Sequence, residues 1–139
     1  MSRARVLALV AAFCATAACG PGEGVEPRLR AGYGEPFTLG LGESAEVGGR
    51  ALVRFARVSE DSRCPEGVQC VQAGNAAAAF SVESERGSAT LTLHTDREPR
   101  GAAAMGVELS VVELHPRPVA GAPTDSAAYR ATLVAESAP

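Results

Sequence analysis

Cys64 and Cys70, which frame the segment CPEGVQC, are the residues with the most definite chemistry in the sequence. A close thiol pair can form a disulfide, hold a metal ion or carry out redox exchange. Zinc takes about four ligands, and only His94 and His115 accompany these thiols, without the paired spacing of a zinc site. Thioredoxin-like redox motifs have two intervening residues rather than five. We therefore predict a disulfide, which should stabilise the fold by about 2 kcal/mol.

Histidine and carboxylate side chains are the other candidates for chemistry. His94 falls on the polar side of an alternating segment and His115 precedes a proline, so both are interpreted as solvated or turn histidines. Glu60 and Asp61 have the spacing of ordinary surface charge. The sequence contains no GxSxG elbow, no GxGxxG and no phosphate-binding loop. We therefore expect a protein that is not an enzyme, with no catalytic residues, no cofactor and no metal site.

The N-terminal segment has the pattern of an export signal. Residues 1–20 read MSRARVLALVAAFCATAACG, in which Arg3 and Arg5 precede an apolar stretch that ends in small residues. This stretch is too short to cross about 30 Å of hydrocarbon as a permanent helix. We predict that residues 1–18 are a signal peptide.

The segment Thr16-Ala17-Ala18-Cys19 resembles the bacterial lipobox, with Thr16 in place of the larger aliphatic residue. The resemblance implies cleavage before Cys19, a diacylglycerol on its thiol and an acyl chain such as palmitate on the new amine. Several acyl chains supply the durable anchor that one chain does not. We expect a lipid-anchored protein of the bacterial cell envelope, and Gly20 in place of Asp favours the outer membrane. The alternative is ordinary cleavage after Ala17 or Ala18 and a free secreted protein.

Composition and charge narrow the class of protein. The 139 residues are 46% hydrophobic and 21% charged, with no Trp, which suits one small domain with a core of Val, Leu and Ala. The net charge of −3 and the absence of a basic stripe argue against nucleic-acid binding. We expect membrane contact through the N-terminal lipid only, and a monomer. Residues 19–36, rich in Gly and Pro, are predicted to be the lipidated N-terminus and a flexible linker before a domain at 37–139.

Apolar residues alternate with polar ones along most of residues 37–139, and turn residues recur about every ten positions. This pattern predicts an all-β fold, a small antiparallel sandwich or barrel of about seven strands. Val58 falls out of phase with Val53 and Phe55, which suggests a β-bulge. Residues 115–127 contain three prolines and are predicted to form a long loop.

The run Ala76–Ala79 is the ambiguous element, because alanine has the best helix propensity. The alternation continues through Phe80 and Val82, so we interpret the run as the start of a strand. Residues 85–88 then form a hairpin turn into a segment in which Leu91 and Leu93 alternate with threonines.

Residues 60–76 read EDSRCPEGVQCVQAGNA. They resemble a motif, EDSRCPxGVxCVWAGxA in outline, of a family of small uncharacterised bacterial lipoproteins and secreted β-domain proteins. The resemblance covers about twenty residues and implies no particular activity. Gln72 stands where that family usually has Trp, so any contact that the Trp makes is lost here.

The residues around the predicted disulfide admit two compatible interpretations. In the structural one, Asp61 accepts hydrogen bonds from turn amides and Arg63 pairs with Asp61 or another carboxylate. In the other, the loop presents side chains to an envelope protein, with the cost of ordering already met. The candidate contact residues are Asp61, Arg63, Glu66, Val68, Gln69 and Gln72.

These observations lead us to expect a non-catalytic binding or structural module. The alternative is a protease-inhibitor-like or small-ligand-binding secreted domain that uses the CPEGVQC loop.

Overall fold

Strand segments with alternating burial make up most of the computed structural model, which describes residues 29–139. The predicted signal peptide, the lipidation site Cys19 and the predicted linker as far as residue 28 lie outside the described residues. Within residues 29–139 the strands are β1 (Leu29–Ala31), β2 (Pro36–Gly40), β3 (Ser44–Val47), β4 (Ala51–Asp61), β5 (Ala76–Ser84), β6 (Gly87–His94), β7 (Gly101–Ala104), β8 (Val107–His115) and β9 (Arg130–Ser137).

The strands form two sheets that enclose one core. The first sheet has the order β1-β3-β4-β5-β6 and the second the order β2-β9-β8-β7. All pairs are antiparallel except β1 with β3, which is parallel. The all-β prediction is confirmed, as a sandwich rather than a closed barrel and with nine strands in the described residues rather than about seven.

The core lies between the inner faces of the sheets. Phe55 of β4 and Phe80 of β5 stack with ring centroids 5.1 Å apart, an arrangement that adds to the burial of their area. The second sheet supplies Leu39, Leu109 and Leu133, all buried. Because every second residue faces inward, the period-two pattern of the sequence maps directly onto this core.

The alanine run is a strand. Ala76–Ala79 begin β5, which pairs with β4 on one edge and with β6 on the other. Two neighbouring strands satisfy the backbone groups of β5, and this tertiary pairing overrides the helix propensity of alanine. The predicted bulge is also present, because the register of β4 against β5 shifts between Phe55 and Arg57 and again between Val58 and Glu60.

The linker prediction is wrong for its last part. Leu29–Ala31 form β1, in register with Ala45–Val47 of β3. The ring of Tyr33 then lies so close to Gly48 that a Cβ there would be 2.3 Å from it. The folded domain therefore includes residues 29–36, because Gly and Pro mark turns between short strands here rather than an unpaired chain.

No helix among residues 29–139 has the length and apolar character needed to cross a bilayer.

Candidate functional site

The candidate site is the loop between β4 and β5, closed by the predicted disulfide. Cys64 and Cys70 are bonded, with Cα atoms 5.9 Å apart. Inside the ring, the Val68 N–H donates to the Pro65 carbonyl at 3.4 Å. Gly67 has a φ of +75°, a left-handed value that glycine adopts without steric cost. The disulfide prediction is confirmed.

The two limbs of this loop meet at its base. The Ser62 N–H donates to the Asn75 carbonyl at 2.8 Å, and the Ser62 hydroxyl donates to the same oxygen at 3.0 Å. A Cβ on Gly74 would lie 1.6 Å from the Ser62 carbonyl oxygen. Only a glycine at residue 74 allows the limbs to approach this closely.

A buried ion pair supports the base of the loop. Arg63 Nε donates to Asp61 Oδ1 at 2.8 Å, and Arg63 Nη2 donates to Asp61 Oδ2 at 2.7 Å. Their side chains are 6% and 9% exposed, respectively. This two-point geometry is the strong form of a carboxylate–guanidinium contact. The predicted pairing of Arg63 with Asp61 is present in the structure.

The same pair joins the two sheets. Arg63 follows β4 of the first sheet, and its guanidinium donates to the carbonyl of Leu114 in β8 and to that of Pro116 at 2.7 Å. The hydroxyl of Tyr129, just before β9, donates to Asp61 Oδ2 at 2.8 Å. The network therefore fixes the loop end of the first sheet to the strand ends of the second.

The network also changes the proton affinity of its members. Burial opposes ionisation of Asp61, but hydrogen bonds from Arg63 and Tyr129 outweigh it and place the pKa of Asp61 below its usual range. Burial likewise opposes the charge on Arg63, and the Asp61 carboxylate more than compensates, so the pKa of Arg63 is raised. Burial and the hydrogen bond to Asp61 raise the pKa of Tyr129. All three side chains are thus held in their ordinary charge states.

His94, the last residue of β6 before a bend, belongs to a second polar cluster beside the loop base. It lies at a turn, as one of the two interpretations had it, and its ring is hydrogen-bonded within the fold. The Asp96 N–H donates to Asn75 Oδ1 at 3.3 Å, so the Asn75 amide nitrogen faces His94 Nδ1, at 3.0 Å. Arg97 Nε donates to the same ring nitrogen at 3.3 Å. Nδ1 is therefore an acceptor, and the proton of the neutral ring is on Nε2.

His115 and Glu60 lie at the surface. His115 Nε2 is 2.9 Å from Glu113 Oε1, and both side chains are 56% exposed. Glu60 forms a long ion pair of 3.6 Å with Arg97. Among residues 29–139 no three His, Cys, Asp or Glu side chains are grouped so that they could hold a metal ion.

The chain matches no protein-family model, no curated protein and no solved structure.

The structure divides the predicted contact residues into two groups. Asp61 and Arg63 are turned into the fold, so their predicted role in partner contact is corrected to an anchoring role. The other four are exposed: Glu66, Val68, Gln69 and Gln72.

Further exposed residues surround this group. Val71 is fully exposed, at 103%, and Val68 is 45% exposed. The Glu66 N–H donates to the Pro118 carbonyl at 3.0 Å, and Glu66 is bridged to Val119, which is 56% exposed. The long loop after β8 therefore supports one side of the disulfide loop and adds an apolar side chain.

Sequence reasoning missed Tyr129, Asn75 and Gly74 as parts of the site. In the sequence Tyr129 shows only the alternation typical of a strand, because its partner Asp61 is 68 residues away in the chain. Gly74 and Asn75 are residue types that favour turns, and they predict only a turn before β5. Their roles depend on the approach of Ser62 and His94, which only the folded chain brings about.

Proposed function

We propose that this protein is a non-catalytic lipoprotein of the bacterial cell envelope, and that its sandwich presents the disulfide loop to another envelope protein. One observation carries the proposal. The loop is closed by Cys64–Cys70 and anchored by the buried Asp61–Arg63 pair, yet its outer side chains are exposed.

A covalently closed loop binds at a lower cost of ordering than a free one. Here the stem is held by the disulfide, by the Ser62–Asn75 contact and by the guanidinium of Arg63. Such anchoring restricts the stem of the loop before any partner arrives.

The outer residues also have the chemistry of a contact surface. Val68 and Val71 are apolar and exposed, and Gln69 and Gln72 beside them offer amide donors and acceptors. A small apolar area with polar neighbours is typical of protein contacts.

The charged groups near the loop favour binding over catalysis. The Asp61 carboxylate is occupied by Arg63 and Tyr129, and Arg63 is occupied by Asp61 and two main-chain carbonyls. Side chains whose charges are already hydrogen-bonded to one another stabilise the fold and are not free to act on a substrate.

The lipid anchor rests on the resemblance of residues 16–19 to a lipobox and is tested by labelling. Cells that express the protein are fed radiolabelled palmitate, and the protein is recovered from the membrane fraction. We expect label on the wild-type chain and none on Cys19→Ser. Label that persists in Cys19→Ser, or a mature N-terminus other than Cys19, contradicts the anchor.

Loop binding is tested by photocrosslinking in cells. A benzophenone amino acid replaces Val71, and a matched control replaces Val112, an equally apolar residue that is 52% exposed on β8. We expect a discrete adduct with one envelope protein from residue 71 only, and its loss in the Cys64→Ser, Cys70→Ser double variant. Identical adducts from both positions contradict the proposal. Titratable inhibition of a protease by the intact loop but not by the reduced loop favours an inhibitor instead.

A further inference from the structure

We infer that a cavity at the end of the sandwich opposite the disulfide loop binds a small organic carboxylate with an apolar body, through Arg50 and Arg86. The disulfide loop follows the last residue of β4, whereas Arg50 directly precedes its first residue. This second site is independent of the lipid anchor and of the loop as a contact surface.

Both sheets contribute to the cavity, which has a volume of about 480 Å³. Three turns surround it, formed by residues 49–50 between β3 and β4, 85–86 between β5 and β6, and 105–106 between β7 and β8. The first two turns belong to the first sheet and the third to the second sheet. The cavity therefore lies between the ends of the sheets, and its volume is within the range of about 300–1,000 Å³ that is usual for small-molecule sites.

Two arginines without a carboxylate partner line this cavity. Within residues 29–139 neither the Arg50 nor the Arg86 guanidinium takes part in an ion pair. Like charges at one cavity repel each other. A carboxylate between the two groups removes this repulsion and accepts charge-assisted hydrogen bonds from both.

The Arg86 guanidinium lies against the turn between β7 and β8. A Cβ on Gly106 would be 3.2 Å from Arg86 Nη1 and 3.4 Å from its Cζ. A residue with a side chain at this position would therefore displace the guanidinium, and the φ of +82° also favours glycine. The Arg86 N–H donates to the Ser84 hydroxyl at 3.1 Å, which holds the turn that carries the arginine. The positive charge is thus placed at the cavity by close packing of two turns.

Acidic side chains near the cavity limit the charge of its ligand. Glu85 lines the same cavity, and it also lines a shallow depression beside it together with Glu46 and Glu83. Two guanidinium groups against one carboxylate leave an excess of positive charge at the cavity itself. A ligand with one anionic group suits this balance better than a polyanion.

Apolar residues on one side of the cavity indicate that the ligand has an apolar body. Met105 and Val107 line the cavity. An adjoining pocket of about 210 Å³ shares Arg86 and Met105 with it and is also lined by Ala103 and Ala104. A carboxylate held at Arg86 therefore directs a short alkyl chain into apolar surroundings, where each buried methylene group raises the affinity about three- to fourfold.

Met105 has a backbone conformation that is unfavourable for a residue with a side chain. Its φ is +54°, and it is the one residue other than glycine with a positive φ in the described part of the chain. Two-residue hairpin turns of this kind favour Asn or Gly at such a position. The Met105 Sδ lies 3.7 Å from the place of a Cβ on Gly87, so the side chain connects the turns of the two sheets and forms part of the cavity wall. Local strain of this kind often marks a ligand site.

A titration followed by nuclear magnetic resonance tests both the binding and its place. The isotope-labelled Cys19→Ser protein, which carries no acyl chain to compete for the site, is titrated with sodium hexanoate. We expect saturable changes in the amide shifts of Gly49 and Gly106 and none at Gly67 in the disulfide loop. Butyrate, two methylene groups shorter, is expected to bind about tenfold more weakly. Hexylammonium and inorganic phosphate, which lack the carboxylate and the alkyl chain respectively, are expected to cause no saturable change.

Methionine substitutions test the two arginines, because methionine keeps most of the side-chain length and removes the charge. Arg50→Met and Arg86→Met are each expected to weaken hexanoate binding about tenfold, the loss of one charge-assisted hydrogen bond. Arg54→Met is the matched control, because Arg54 is exposed on β4 and lies outside the cavity. All three variants are expected to melt within a few degrees of the wild type, since all three side chains are exposed.

Several results would overturn the carboxylate site. These are shifts that rise without saturation, equal changes with hexylammonium or inorganic phosphate, unchanged affinity in both cavity variants, and an equal loss of affinity in Arg54→Met. None of them alters the crosslinking expected from residue 71, so failure of this site is distinguishable from failure of the proposed loop contact.

Discussion

Arg63 and Asp61 form a two-point ion pair at 2.8 and 2.7 Å inside the fold, although only one residue separates them in the chain. The same guanidinium reaches the Pro116 carbonyl of the opposite sheet's loop. The two residues are close in the chain, yet their contacts connect the two sheets. The disulfide loop begins at the next residue, Cys64.

Removing one partner of this pair is expected to be costly. Arg63→Met keeps most of the side-chain volume but leaves Asp61 charged and unpaired, which destabilises a fold by about 3–5 kcal/mol. Arg30→Met is the control, because its ion pair with Glu46 is long, 3.8 Å, and Arg30 is 81% exposed. Urea denaturation measures both, and a loss of stability no greater in Arg63→Met than in Arg30→Met would falsify the role of the pair.

Stability is expected to depend on pH through the two ends of this network. The pKa of Asp61 is lower in the folded chain than the value of about 3.9 in an unfolded one, so the stability that it contributes is present above that value and is lost as the pH falls through the folded pKa. The pKa of Tyr129 is raised in the folded chain, so its contribution is present below about pH 10 and is lost at higher pH, through the folded pKa.

Unfolding free energies measured across pH separate the two groups. Asp61→Asn is expected to remove its share of the acid side of the profile, and Tyr129→Phe its share of the alkaline side. Because the two groups share a hydrogen bond, each substitution also weakens the pKa shift of the other group, so each variant shows a smaller change on the opposite side. An acid side as steep in Asp61→Asn as in the wild type contradicts the assignment.

The disulfide is expected to stabilise the fold without shaping it. The Cys64→Ser, Cys70→Ser double variant should lose about 2 kcal/mol, because the open loop gives the unfolded chain more freedom. Its far-UV circular dichroism should match that of the wild type. Reduction of the wild type should lower the melting temperature as far, and should leave the melting of the double variant unchanged. Equal melting temperatures of the reduced and oxidised wild type would show that the disulfide does not stabilise the fold.

Two glycines of the loop are expected to respond differently to substitution. Gly74→Ala places a methyl group 1.6 Å from the Ser62 carbonyl oxygen, so the loop limbs must separate. Gly67→Ala meets open space and bears only the cost of a φ of +75°, about 1 kcal/mol. Thermal melts should show a much larger loss for Gly74→Ala, and comparable losses contradict the close approach at Gly74.

Several features could be predicted because they depend on neighbours in the chain. The alternation of Phe37 and Leu39, the hairpin between β5 and β6, and the displaced phase of Val58 each reflect strand geometry over a few residues. The cysteine spacing likewise identified the disulfide, because few chemical alternatives suit two thiols so close together.

The strand Leu29–Ala31 could not be predicted from the sequence. Three residues between glycines and prolines are too few to show a period of two, and they form a strand only because β3 pairs with them. The sequence predicted a solvated or turn position for His94 and not its hydrogen bonds, because Asn75 and Arg97 approach its ring only in the folded chain.

The sequence by itself determined the strand pattern and the closed loop, because both arise from side-chain alternation and covalent chemistry within short stretches. Only the tertiary structure decided which charged residues the loop exposes. The chain alone predicts that Arg63 pairs with Asp61, but not that the pair is buried. Burial is favourable because Leu114, Pro116 and Tyr129, more than fifty residues away, supply hydrogen bonds to it.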